Sequence, residues 1–147
     1  MNADQMEFMW NLDEDRVVEA IREAESRTSA EIRVFVSNKE AEHPVTAARG
    51  HFVRMGMEKT QRRNGVLIFF APASRTFAVI GDEAAHAVCG DRLWHALVRE
   101  MRKLLLDESS TAAIVHAIKR IADALAPRFP HEADDRNELP DAVERGD

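Results

Sequence analysis

Apolar residues recur along this chain in two periods, and the switches between them mark its elements. Val17, Ile21 and Ala24, with Val18 beside them, repeat at helical spacing, and Asp13 suits the N-cap of a helix running to about Arg27. Glu31–Ser37 then alternates, with Ile32, Val34 and Val36 on one strand face. After the polar loop Asn38–His43, Pro44 opens a second helix, where its missing N–H costs nothing. Val45, Ala48, Phe52 and Met55 carry that stripe to about Thr60.

Two further apolar runs, Val66–Ala71 and Phe77–Ile80, are joined by Pro72-Ala73-Ser74-Arg75, which is turn chemistry. They predict a β-hairpin of strands Gly65–Ala71 and Thr76–Gly81. The first run is apolar at every position, as suits a strand covered on both faces. Beyond Asp82 the pattern is helical almost to Pro127. A short turn over Ala84–Val88 is broken by Gly90; Leu93, Leu97, Met101 and Leu104 follow, widened by Trp94 and Val98. Asp107–Ser110 is a break with N-cap candidates. Ile114, Ile118, Ile121 and Leu125 form the last stripe, which Pro127 and Pro130 stop.

The order αβαββαα with three apolar strands calls for helices on both sheet faces. The expected class is α/β, an α/β/α sandwich with a small mixed β-sheet. One domain over residues 13–130 follows from the length. It is preceded by a segment, 1–12, whose Phe8, Met9, Trp10 and Leu12 either dock on the body or belong to a first helix. Residues 131–147 read as an acidic C-terminal tail. Of the net charge of −6, −5 falls on Pro130–Asp147, leaving the body close to neutral. The tail is expected to be extended and to add little stability, Leu139 alone being able to dock.

Composition narrows the function classes. No basic field or RNA-binding aromatic signature points to nucleic acid. Cys89 is the single cysteine, so an internal disulfide and a cysteine-based zinc site are excluded, and it reads as a buried inert thiol. The first residues are acidic where a signal peptide is basic, and no apolar run approaches the roughly 20 residues that span a bilayer. The expected compartment is cytoplasmic, and the expected partner is a protein that the sequence does not identify.

The chemistry gathers where the hairpin closes. With Glu31–Ser37 parallel to Gly65–Ala71, one end of the sheet collects Thr28, Ser29, Glu31, Arg62, Arg63, Asn64, Gly81, Asp82 and Glu83. A helix starting after Asp82 would add free N–H groups and anion-binding character there. Two readings of Asp82 stand. It ligates Ca²⁺ or Mg²⁺ with oxygens from Glu83, Asp91 or Asp134 and Asp135, while Arg62, Arg63 and Asn64 bind phosphate. Otherwise it caps the following helix and the arginines are solvated. The histidines show no zinc spacing; His51 and His116 are expected on helix surfaces, and His86 is a candidate acid or base. No nucleophile elbow or phosphate-binding glycine motif is present.

The segments E-A-E-S-R-T-S-A-E-I-R-V (23–34), G-M-E-K-T-Q-R-R-N-G-V-L-I-F (56–69) and R-T-F-A-V-I-G-D (75–82) resemble the TPM domain family. Trp94, Met101 and Phe129-Pro130 agree, so the resemblance runs from about Val17 to Pro130. It implies an α/β/α sandwich, a divalent-cation site, and the disputed acid phosphatase activity of plant relatives. Other relatives are membrane-tethered or exported and act in photosystem repair or as receptor accessory proteins. This chain is expected to be without their anchor and glycine-rich tail, and it resembles a short bacterial-type member. Asp82, and more loosely Arg63 and Asn64, fall in matching motifs. Two functions follow: a divalent-cation-binding interaction module without an identifiable catalytic set, or a metal-assisted phosphatase acting on phosphoesters.

Overall fold

The computed structural model describes residues 12–132 and 143–147. Helix α1 (Glu14–Arg27) begins as its sequence dictates. The Asp13 side chain accepts from the Arg16 N–H, and the apolar stripe Val17, Ala20, Ile21 and Ala24 is buried. The Asp13 N–H donates to Thr111 Oγ1 at 2.8 Å, which ties this start to a helix much later in the chain. Strand β1 (Ile32–Ser37) is buried at every position. Helix α2 (Pro44–Arg54) carries Pro44 in its first turn. It stops at Arg54, earlier than its apolar stripe suggests, because Gly56 turns left-handed at φ 73°; a 3₁₀ turn, Met57–Lys59, completes the segment.

Strands β2 (Val66–Ala71) and β3 (Thr76–Gly81) form the hairpin. Helix α3 (Glu83–Asp107) contains Gly90 at φ 71° and ψ 166°, so the expected break is a kink between two helical pieces. Helix α4 (Ser110–Leu125) starts where Ser109 Oγ accepts from the Ala112 N–H. The segment read as an acidic tail departs from expectation. Val143–Gly146 returns to the sheet as a fourth strand, β4, parallel to β1.

The sheet order is β3-β2-β1-β4, with β1 parallel to both β2 and β4, and β2 antiparallel to β3. Strand alternation divides the interior in two. Ile32, Val34, Val66, Ile68 and Phe70 face α1, α3 and α4 in the larger core. Phe35, Leu67, Phe69 and Ala78 face α2 and Met57 in the smaller one. The α/β/α sandwich read from the sequence is therefore the fold, and β2 is buried on both faces. No helix among the described residues is long and apolar enough to cross a membrane.

Candidate functional site

The register of the strands builds the site. Val66 at the start of β2 pairs with Ile32 at the start of β1 and with Gly81 at the end of β3. The start of β1, the start of β2 and the end of β3 therefore share one end of the sheet. The Asp82 N–H donates to the Gly65 carbonyl at 2.8 Å, which fixes where α3 begins. Gly81 is needed just before it: a Cβ at this position would lie 2.8 Å from Trp94 Cζ2.

Arg63 sits at φ 52°, an unusual conformation for a residue with a side chain, and it brings the guanidinium against Asp82. Nε donates to Asp82 Oδ2 at 2.8 Å and Nη2 to Oδ1 at 3.2 Å, a two-point fork. That fork, with the charge of Asp82, raises the Arg63 pKa above its ordinary value. Asp82 Oδ1 also accepts from the Glu83 N–H at 2.8 Å. The capping reading of Asp82 thus holds, but Arg63 is ion-paired rather than simply solvated. The anion-binding character expected of this helix start is diminished, because the Ala84 N–H is also taken, by the Arg63 carbonyl at 3.0 Å.

The other sequence candidates separate. Glu83 is close: its carboxylate lies 3.9 Å from Arg63 Nη1 and is 73% exposed. Asp91 lies beyond the kink, 81% exposed and 3.6 Å from His86 Nε2. Arg62 pairs with Glu132 at 2.6 Å. Asn64 is buried and directs Nδ2 toward Ser29 Oγ at 3.5 Å. The chain after α4 does return to this end, since the Ser29 N–H donates to the Phe129 carbonyl at 2.8 Å and Thr28 bridges to Pro130. Asp134 and Asp135 lie outside the described residues. Among the described residues, no three histidine, cysteine, aspartate or glutamate side chains cluster as a metal-holding group.

One histidine differs from expectation. His51 is buried rather than on a helix surface, its ring stacked 4.0 Å from that of Phe35 and 5.5 Å from that of Phe69. Burial, and then the charge of Arg54, lowers its pKa. His86 accepts from Trp94 Nε1 at 2.9 Å through Nδ1, so the neutral ring carries its proton on Nε2, toward Asp91. Cys89 is half-buried, and burial pushes its thiol up to about 11, which keeps it a poor nucleophile at neutral pH. His116 joins Glu100 at 2.6 Å, and Arg120 Nε reaches the same carboxylate at 3.0 Å. These contacts, led by the His116 hydrogen bond, hold the Glu100 carboxyl below its ordinary range.

Two charged residues that the sequence reading passed over also face each other. Arg33 on β1 is 1% exposed, and its Nη2 donates to Glu144 Oε1 on β4 at 2.5 Å. The available signal was an arginine inside a strand of β-branched residues, followed at the far end of the chain by Val-Glu-Arg.

An α/β/α sandwich with its polar groups gathered where a parallel pair meets a hairpin defines the class of protein. The TPM domain model matches residues 3–124, so the chain belongs to the TPM domain family. The NMR structure of BA42 protein from the psychrophilic bacterium Bizionia argentinensis superposes with a TM-score of 0.82 at 32% identity, covering 90% of this chain and 92% of that one. No curated protein sequence matches the chain.

Proposed function

We propose that this TPM domain is a non-catalytic interaction module whose sheet end takes a divalent cation, Ca²⁺ or Mg²⁺, in exchange for Arg63. One observation carries this reading. A single guanidinium lies against two carboxylates, buried Asp82 at 2.8 Å and exposed Glu83 at 3.9 Å. A hard cation prefers oxygen ligands and would replace the guanidinium between them. The two carboxylates do not make a closed ligand set, so waters and backbone carbonyls complete the coordination. Arg63 must also be displaced. Affinity is therefore weak, and it falls at low pH as protons compete for the carboxylates.

The alternative, a metal-assisted phosphatase, needs a phosphate cradle and an activated nucleophile. Arg62 and Arg63 are already committed to Glu132 and Asp82, which favours the module. Calorimetric titration with CaCl₂ and MgCl₂ tests the exchange. Wild type should bind weakly, Asp82→Asn should not bind, and Arg63→Gln should bind more tightly because the competing charge is gone. Absence of binding in wild type and Arg63→Gln alike leaves Asp82 a helix cap only.

A further inference from the structure

The two edges of the sheet are finished differently. The β4 edge carries charge, with Glu144 paired to Arg33 and Arg145 to Glu14. At the other edge β3, Thr-Phe-Ala-Val-Ile-Gly, has no charged residue and no proline, and all of its residues but Ala78 are partly exposed. Natural edge strands are blunted by charge, proline or a bulge, because an open ladder invites a second strand. Among the described residues, no strand pairs with the outer side of β3. The Asp82 N–H turns inward to Gly65, and the Val66 N–H turns away from β3, to the Glu31 carbonyl at 2.7 Å. Alternation along the antiparallel pair then directs the N–H and C=O groups of Phe77, Val79 and Gly81 outward.

Helix α2 lies over β3 and β2 on one face of the sheet. Its His51 stacks on Phe35 of β1 and marks the flank that points toward the middle of the sheet. At about 3.6 residues per turn, Val45, Arg49 and Val53 fall on the opposite flank, above the β3 edge. Val45 is 47% exposed and Val53 is 53% exposed. Apolar surface therefore continues from the strand edge up the side of the helix.

We propose that β3 is the pairing strand of a homodimer, laid antiparallel against β3 of a second copy about a two-fold axis perpendicular to the sheet. Such an axis keeps the α2 faces of both sheets on one side, so residues opposite each other share a face. With Val79 on the axis, Val79 meets its own copy and Phe77 meets Gly81 of the second copy, and each outward N–H faces an outward carbonyl. The side chains suit this register. Gly81 leaves room for the opposite Phe77 beside Trp94, which packs over that glycine. Exposed Arg75 at one end of the strand comes beside the second copy's Glu83, 73% exposed, and symmetry makes that opposite-charge pair twice. With strands about 4.8 Å apart, a helix centred between β3 and β2 stands about 5 Å from the axis. The two α2 helices are then about 10 Å apart, the spacing of packed helices, with Val45 and Val53 in the seam. Arg49 brings like charge into that seam, which keeps the association weak and reversible.

Sedimentation and NMR amide exchange on the full-length chain test the pairing between about 20 µM and about 1 mM, in EDTA so that cation binding plays no part. Dimer should form across that range. The outward Phe77, Val79 and Gly81 amides should exchange about tenfold more slowly at the higher concentration, while the inward Ala78 and Ile80 amides change little. Val79→Lys, which sets two lysines against each other on the axis, should abolish the dimer. Val53→Lys, at an exposed position of α2, should weaken it about tenfold, and it carries the test alone if circular dichroism shows Val79→Lys unfolded. A monomer at every concentration overturns the proposal. So does a dimer that leaves those three amides unchanged and survives Val53→Lys at full strength.

Discussion

Asp82 and His51 show how two buried ionisable residues are accommodated in different ways according to what their neighbours supply. Asp82 is buried but has its oxygens filled by the Arg63 fork and the Glu83 N–H, so its charge is tolerated. His51 is buried against Phe35 and Phe69, where a charged ring would lose its water, and so it is held neutral. The pH dependence follows. In the unfolded chain His51 has the ordinary pKa of 6.5, and folding lowers it. Between those values the unfolded state binds more protons, so the stabilising contribution is full above pH 6.5 and is lost as pH falls through the folded value. His51→Phe keeps an aromatic stack and removes the titration. Urea denaturation at pH 7 and pH 5 should show the variant gaining on wild type at the lower pH. An identical difference at both pH values would mean that His51 is not the group responsible.

Elements differ in how openly the sequence announces them, and the difference is one of packing. α1, α4 and β2 each carry a full apolar stripe or run, and the residues that the periodicity selects are buried: Val17, Ile21 and Ala24; Ile114, Ile118, Ile121 and Leu125; and all of Val66–Ala71. β4 has a single apolar residue and forms because β1 offers an open edge and a buried Arg33, so no local pattern reveals it. The site divides in the same way. The meeting of Arg63 with Asp82 was legible because hairpin register is local, whereas Arg33 with Glu144 joins the two ends of the chain. The sequence reading expects removal of the whole segment after Pro130 to leave the melting temperature nearly unchanged; β4 reverses that. Deleting residues 143–147 uncovers the β1 edge and strips Arg33 of its carboxylate. Breaking a fully buried pair costs about 3–5 kcal/mol, less here because Glu144 is half-exposed. A thermal melt should therefore show a fall on the order of 5 °C. Combining the deletion with Arg33→Met should recover part of it, and an unchanged melting temperature on deletion would mean that β4 is not integral to the sheet.

The whole molecule is one sheet shared by two cores of unequal size. Ile68 and Leu67 are successive residues of β2, both fully buried, yet Ile68 points into the core beneath α1, α3 and α4, while Leu67 points toward α2. On the α2 side a single helix and the turn at Met57 cover the sheet. A cavity opened there has fewer neighbours able to close it, and collapse around the site decides how much a truncation costs. Leu67→Ala should lower unfolding stability by about 2–5 kcal/mol, as should the alanine replacement of Ile68. Both variants should still unfold in one transition, because β1 and β2 contribute to both cores at once and neither core has a sheet of its own. Chemical denaturation followed by tryptophan fluorescence and by circular dichroism checks both points. In a Trp10→Phe background Trp94, packed over Gly81 and on the larger core, reports that side, while circular dichroism reports the whole chain. A loss below about 0.5 kcal/mol at Leu67 would mean that the α2 layer does not bury the sheet, and the sandwich would be two layers rather than three. Separate midpoints for the two probes in Leu67→Ala would mean that the smaller core melts on its own. The Arg63–Asp82 end, formed where β2, β3 and α3 join, would then be coupled to only one of the two cores.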